Sequence, residues 1–236
     1  MTRDELLKKC LPDTVCMNPV GRCANDLTPE EFEQCYEVFF DSIFEISKAD
    51  ISGFQGYGEL DDDTHQPEFQ TFREFLEGTF DNEQEGYWYH WQELFETSMM
   101  KREFFEKYYN KMLQYSPYCE DKRYLVNNNT FFVNMVYTGE KVGFPDWTRT
   151  AITDFLLDFA ILDGNKPYLK IVEKLYAYAQ KKGIEIPNFK ERITCMLYYK
   201  SLCCLMWHAS IDDSESCTTI IQSTEEFEER IRALQE

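Results

Sequence analysis

The residues with the most chemical potential lie in the stretch 124–147. A short apolar run, Tyr-Leu-Val, is followed by three successive amides at residues 127–129, and Asn134 and Asp146 stand on either side of a predicted hairpin turn. An amide side chain is neutral, so Asn129 cannot act as a general base. Taken alone, residues 127–129 are typical of a polar turn, because Asn tolerates left-handed backbone conformations. Asn134 and Asp146 would then be ordinary hairpin residues.

Two further carboxylates follow this stretch. Asp154 and Asp158 are four residues apart, so they share one face of the helix that the pattern predicts over residues 151–162. A structural interpretation makes Asp154 a helix cap and Asp158 a buried, hydrogen-bonded side chain. The three histidines share no metal-ligand spacing. No Ser/His/Asp arrangement and no glycine-rich phosphate loop is present in the sequence.

Composition excludes several classes of partner. A formal net charge of −19 over 236 residues repels nucleic acids and anionic membranes and favours a cationic ligand or a basic partner. A solvated acidic surface explains the charge equally well. No apolar stretch approaches the roughly 18–20 residues of a membrane span, and no secretory core is evident at the start. We therefore expect a cytoplasmic protein whose nine cysteines are reduced.

An ordered series of motifs resembles the aminoglycoside phosphotransferase family, in particular the C-terminal lobe of its hygromycin B members. The motifs are Tyr89-His90-Trp91-Gln92, the stretch from Cys119 to Val126, the loop ending Asp146-Trp147, and Thr153-Asp154-Phe-Leu-Leu-Asp158-Phe-Ala160. No single motif is decisive. Their order and near-constant spacing over residues 28–210 carry the resemblance.

The resemblance implies roles for individual positions. The catalytic Asp of the family falls on Asn129, its neighbouring His on Asn127, and its two magnesium ligands on Asn134 and Asp146. Replacement of the catalytic carboxylate by an amide removes the general base, a loss that typically costs about 10²- to 10⁴-fold in rate.

Acidic residues of the family's lobe receive the ammonium groups of the ligand. By the resemblance, Asp154 and Asp158 would take this role, with Asn127 as a further ligand-binding candidate. Magnesium and ATP are implied only if the protein is an active enzyme, and no other cofactor is expected.

The resemblance also implies a fold. We expect a mainly α domain with a small β-hairpin, equivalent to the C-terminal lobe of a protein-kinase-like phosphotransferase and spanning residues 28–236. Residues 1–27 are expected to form an irregular arm in place of the usual N-terminal β lobe, since no run of alternating strands precedes the first strong helix at residue 28.

Three functions are compatible with these patterns. The first is a degenerate, non-catalytic relative of the family that binds a cationic small molecule or a basic partner in an acidic cleft. The second is an active phosphotransferase that uses Asn134 and Asp146 for magnesium, takes its base from Asp121 or Asp154, and receives its missing lobe from another chain. The third is a structural or regulatory interaction protein, in which exposed apolar surface could also drive homo-oligomer formation.

Overall fold

The computed structural model describes residues 2–234, in which helices dominate. The α-helices of this part of the chain are α1 (Arg3–Cys10), α2 (Pro29–Ile46), α3 (Phe72–Thr79), α4 (Leu94–Thr97), α5 (Arg102–Tyr115), α6 (Leu156–Asn165), α7 (Ile171–Lys182), α8 (Phe189–Ser210) and α9 (Ser214–Arg232). None of these helices is long and apolar enough to cross a membrane.

Short strands form two antiparallel sheets. The strands are β1 (Arg22–Cys23), β2 (Tyr57–Leu60), β3 (Pro67–Phe69), β4 (Tyr124–Val126), β5 (Val136–Tyr137), β6 (Val142–Gly143) and β7 (Ala151–Thr153). One sheet has the order β3-β2-β7-β4, and the other has the order β1-β5-β6. The predicted hairpin is therefore present as β5 and β6, and the mainly α fold with small β elements is confirmed.

The core is built around α8, which packs against α5, α6 and α9. This helix buries residues on nearly all of its faces over residues 189–202. A helix with apolar residues all round is typical of the centre of a domain rather than of its surface. The site described below lies between this helical core and the two sheets.

Helix α2 begins where the sequence predicts. The Thr28 hydroxyl accepts a hydrogen bond from the Glu31 backbone N–H, and the Glu31 carboxylate accepts one from the Thr28 N–H. This reciprocal cap satisfies two backbone donors that an uncapped helix leaves unpaired. The apolar face that follows places Phe40 against Phe159 of α6, with ring centroids 5.3 Å apart.

The first 27 residues are more regular than expected. Residues 3–10 form α1, and β1 pairs antiparallel with β5, so that Arg22 lies opposite Tyr137. Cys16 also forms a parallel bridge with Gly143 of β6. Within residues 2–28 no multi-stranded sheet of its own is present. The arm therefore adds a strand to the hairpin, because its extended backbone finds partners there.

Three other elements have boundaries that depend on particular contacts. Residues 49–68 contain β2 and β3, and β2 also pairs with β7, which is distant in the sequence. Helix α4 ends at Thr97, and the Ser98 hydroxyl that follows accepts a hydrogen bond from the Met100 N–H. Helix α9 begins at Ser214 and is capped by the Asp213 side chain.

The helix predicted over residues 151–162 is also shorter than expected. Residues 151–153 form β7, in which Ile152 lies opposite Leu125 of β4, and α6 begins only at Leu156. Asp154 therefore precedes the helix and does not share a helical face with Asp158.

Candidate functional site

Three of the predicted site residues form a hydrogen-bonded row. The Asn134 side-chain amide donates to Asn129 Oδ1 at 2.9 Å, and the Asn129 amide donates to Asp146 Oδ2 at 2.8 Å. Asn129 follows β4, Asn134 precedes β5, and Asp146 follows β6. The hairpin therefore folds back to bring together side chains that are up to 17 residues apart in the sequence.

Hydrogen bonds to its side chain and to its backbone carbonyl hold Asp146 in place. Its Oδ1 atom accepts hydrogen bonds from the Thr148 N–H at 2.9 Å and from the Thr148 hydroxyl at 2.7 Å. Its backbone carbonyl accepts from the Asn127 amide at 2.7 Å. Both carboxylate oxygens are thus already engaged by hydrogen-bond donors, with Asn129 on the second oxygen.

Asp158 organises the backbone of residues 127–129, which we call the amide loop. Its two carboxylate oxygens accept the N–H groups of Asn127 at 3.0 Å and Asn128 at 2.8 Å. Asn128 adopts a left-handed conformation with φ of 57°. The Thr130 hydroxyl donates to the Asp158 carbonyl at 2.8 Å. Residues 127–129 thus form a polar turn whose backbone is held by both oxygens of Asp158.

Burial raises the pKa of the Asp158 carboxyl to about 6. The loss of water around the carboxylate is the main cause, and it outweighs the hydrogen bonds from the loop and the charge of Lys200, which favour the ionised form. Asp158 is thus a titratable group at the centre of the loop, although its side chain is buried.

Asp154 lies outside the hydrogen-bonded set around the amide loop and Asp146. Arg192 donates to both of its oxygens, from Nε at 2.7 Å and from Nη2 at 2.8 Å, and both side chains are fully buried. The Leu156 N–H donates to Asp154 Oδ1 at the start of α6. Asp154 is therefore buried, with one oxygen shared between Arg192 and the backbone at the start of α6 and the other bound by Arg192.

The residues fit a magnesium ion in donor type. Asp146 and Asn134 provide a carboxylate and an amide oxygen, which are ligands that Mg²⁺ accepts. The Asn129 amide nevertheless donates to Asp146 Oδ2, so it would have to move before a cation could bind there. Among residues 2–234, no group of three or more His, Cys, Asp or Glu side chains is arranged to hold a metal ion.

A cavity of about 1210 Å³ lies beside the amide loop. Carboxylates line it, namely Glu59, Glu68, Asp81, Glu83 and Glu85, and so do aromatic rings, among them Trp88, Phe131 and Trp207. Glu59 connects the cavity to the loop, because its Oε1 atom accepts a hydrogen bond from the Asn128 amide at 3.1 Å.

Aromatic side chains are clustered near the outer side of the cavity. The Tyr87 and Trp88 ring centroids are 4.8 Å apart, and Tyr87 and Trp207 are 6.1 Å apart. Tyr87 is 66% exposed and Trp207 49% exposed, which is unusual for rings of this size. These rings provide flat apolar surface next to the carboxylates.

Sequence reasoning missed the cavity residues because they come from separate elements. Glu59 belongs to β2, Trp207 to α8, and Glu83 and Glu85 to the loop after α3. The one local signal is the alternation of acidic and aromatic residues over residues 81–91.

No protein-family model and no curated protein matches this chain. Solved structures do. A thermostable variant of aminoglycoside phosphotransferase APH(4)-Ia, in a ternary complex with AMP-PNP and hygromycin B, has a TM-score of 0.75 at 16% identity, over 97% of this chain and 80% of that one. The structure of APH(4)-Ia itself has a TM-score of 0.75 at 15% identity, over 98% of this chain and 81% of that one.

A more distant likeness extends to another kinase. A choline/ethanolamine kinase family protein from Mesorhizobium loti has a TM-score of 0.55 at 15% identity, over 88% of this chain and 69% of that one. The chain thus has the fold of aminoglycoside phosphotransferase APH(4)-Ia, and the resemblance inferred from the motifs is confirmed at the level of the fold.

Proposed function

We propose that this phosphotransferase-fold chain binds a cationic small molecule in the cavity beside the amide loop and does not transfer phosphate to it. The observation that carries the proposal is the concentration of carboxylates on one side of a cavity large enough for a drug-sized ligand. The fold of an aminoglycoside phosphotransferase supports an amine-rich ligand of that size.

The carboxylates of the cavity differ in how far they are neutralised. Arg149 forms a bidentate ion pair with Glu59. Of the four others, Glu83 has the His90 imidazole 3.4 Å away. The lining has five carboxylates against one arginine and one lysine, a surplus of negative charge that favours ammonium groups.

The exposed rings support the same class of ligand. Trp88 and Trp207 can attract a cation through their faces and can stack against the apolar face of a sugar or cyclitol ring. A ligand with both amino groups and rings would use the carboxylates and the indoles together. Inorganic cations would use only the carboxylates.

The hydrogen bonding of the Asn129 side chain supports binding without catalysis. Its amide donates to Asp146 and accepts from Asn134, so it acts as a neutral bridge within the row. A group in this state can neither accept the proton of a hydroxyl nucleophile nor leave Asp146 free for magnesium.

An active phosphotransferase is the second candidate, because Asn134 and Asp146 lie within one hydrogen-bonded row as a magnesium site would require. Its test is the variant Asp146→Ala in an assay of phosphate transfer from Mg·ATP. The catalytic proposal requires activity in the wild type and its loss in this variant.

Calorimetric titration with an aminoglycoside such as hygromycin B, with and without Mg·ATP, tests the binding proposal. We expect binding that does not need nucleotide and that weakens as salt rises. The double variant Glu83→Gln and Glu85→Gln should reduce affinity about 3- to 10-fold, since exposed ion pairs contribute about 0.2–1 kcal/mol each.

The matched control is Glu226→Gln with Glu229→Gln, which removes two exposed charges from α9, outside the cavity. Equal losses in both double variants would show that net charge alone attracts the ligand. No binding at millimolar ligand, or binding only with nucleotide, would contradict the proposal.

A further inference from the structure

One end of the acidic cavity carries positive charge. Arg149 and Lys200 both line it, and both lie close enough to the Cys203 and Cys204 thiols to oppose electrostatically the increase in thiol pKa that burial causes. The two cations therefore lie near the same part of α8. In a chain with a net charge of −19, two cations at one end of an otherwise acidic cavity require an explanation.

Lys200 is only partly compensated. Its ammonium lies over the Phe131 ring, 5.0 Å from the centroid, and its charge opposes part of the rise in the pKa of Asp158 that burial causes. Within residues 2–234 it forms no salt bridge. A half-buried ammonium without a carboxylate partner keeps its hydrogen-bond donors available to water or to a bound group.

The ion pair with Glu59 holds the Arg149 side chain but does not engage all of its hydrogen-bond donors. Nε and Nη2 donate to Glu59, at distances of 2.5–3.0 Å, and Nη1 lies outside this pair. Glu59 is in turn held by the Asn128 amide, next to the row that contains Asn129. The guanidinium is therefore held in one orientation at the end of the cavity that adjoins the amide loop.

We propose that this end of the cavity binds an oxyanion, a phosphate or a carboxylate, carried by the same ligand whose amines bind the acidic side. The inference rests on the proposed function. An arginine held by a carboxylate and a lysine without one form a receptor for oxyanions, since charge-assisted hydrogen bonds are about twice as strong as neutral ones. The ligand class is thereby narrowed from a polyamine to an amine that also bears an anionic group.

Calorimetric titration at low salt with four small probes tests this inference. Glucosamine carries the amine alone, glucose 6-phosphate the anion alone, glucosamine 6-phosphate both, and glucosaminate an amine with a carboxylate. We expect glucosamine 6-phosphate to bind about tenfold or more tightly than glucosamine. The ratio between glucosamine 6-phosphate and glucosaminate then identifies the preferred oxyanion.

Variants test whether the tighter binding of glucosamine 6-phosphate depends on the cations at this end of the cavity. Lys200→Gln should remove most of the advantage of glucosamine 6-phosphate over glucosamine, whereas Lys200→Arg should retain it. Lys101→Gln removes one positive charge at an exposed position outside the cavity and should leave all four affinities unchanged.

The outcomes separate the two proposals. Equal binding of glucosamine and glucosamine 6-phosphate overturns the oxyanion inference and leaves the cation-binding function standing. Glucose 6-phosphate binding as tightly as glucosamine 6-phosphate overturns the requirement for an amine, and with it the bifunctional ligand. Failure of all four probes to bind at 10 mM, with a positive aminoglycoside titration, also overturns the inference.

Discussion

Introducing a carboxylate at position 129 should destabilise the protein in a pH-dependent way. In the substitution Asn129→Asp, an oxygen replaces the amide nitrogen that lies 2.8 Å from Asp146 Oδ2. A hydrogen bond from a neutral donor to a charged acceptor is exchanged for the contact of two carboxylates. The lost hydrogen bond alone is worth about 1.5–3 kcal/mol.

Protonation limits the repulsion between the carboxylates at positions 129 and 146. Two unit charges about 4 Å apart near a protein surface repel by about 4 kcal/mol, but one carboxyl can instead bind a proton. Keeping a carboxyl with an ordinary pKa of about 3.9 protonated costs about 5 kcal/mol at pH 7.5 and about 1.5 kcal/mol at pH 5. Because both side chains are half-buried and solvent screens them, we expect a net loss of about 2–4 kcal/mol at pH 7.5.

The sign of the pH dependence follows from linkage. The new carboxyl has a higher pKa in the folded variant than in the unfolded chain, so the folded state binds more protons. Its stability relative to wild type is therefore greatest at low pH and falls as pH rises through the raised pKa. The deficit should shrink to about 1 kcal/mol at pH 5, where a protonated carboxyl can again donate to Asp146.

Urea denaturation at pH 5 and pH 7.5 measures this deficit. The matched control is Asn110→Asp, the same exchange at an exposed position of α5, for which we expect less than about 0.5 kcal/mol at either pH. If the variant also completes a magnesium site with a dissociation constant near 1 mM, 10 mM Mg²⁺ should restore about 1.4 kcal/mol. A deficit below about 0.5 kcal/mol that does not vary with pH would refute the proposed contact between positions 129 and 146.

Two further predictions concern the buried carboxylates. The raised pKa of Asp158, about 6, means that its contribution to stability is present below about pH 4 and is lost as pH rises through 6, a change of about 3 kcal/mol. Asp158→Asn should therefore remove about that much of the decline in stability between pH 4 and pH 7, measured by urea denaturation against wild type, and an unchanged pH profile would contradict the burial argument. Asp154→Ala leaves Arg192 buried without its partner and should cost about 3–5 kcal/mol in the same assay. The aminoglycoside affinity of the Asp154→Ala variant at 10 °C should match that of the wild type. A loss of affinity without a loss of stability would indicate that Asp154 contacts the ligand.

Local sequence signals predicted the elements whose stability is local. Thr28 and Glu31 cap α2 where the pattern placed its start, because the cap involves residues three apart. The Asn129, Asn134 and Asp146 side chains meet as the resemblance implied, because one short hairpin connects them. These are contacts that a few neighbouring residues determine.

The remaining contacts depend on pairing between distant segments. β2 contains Gly58 and Glu59, which are weak strand formers, and it becomes a strand because β3 and β7 lie on both sides of it. The cavity has the same origin, since Arg149 and Lys200 are brought together only after α8 has packed. The sequence pattern places Asp154 on a helix face, because β7 cannot be distinguished from the start of α6 without its partner β4.

The N-terminal arm has a consequence for the order of folding. β1 and Cys16 hold the β5–β6 hairpin from both sides, across separations of more than 110 residues. Closing loops of this length is slow relative to forming local turns, so we expect the hairpin that carries Asn134 and Asp146 to become ordered late. During synthesis the arm emerges before the hairpin with which it pairs. The hydrogen-bonded row of Asn129, Asn134 and Asp146 should therefore form after the helical core around α8 is complete.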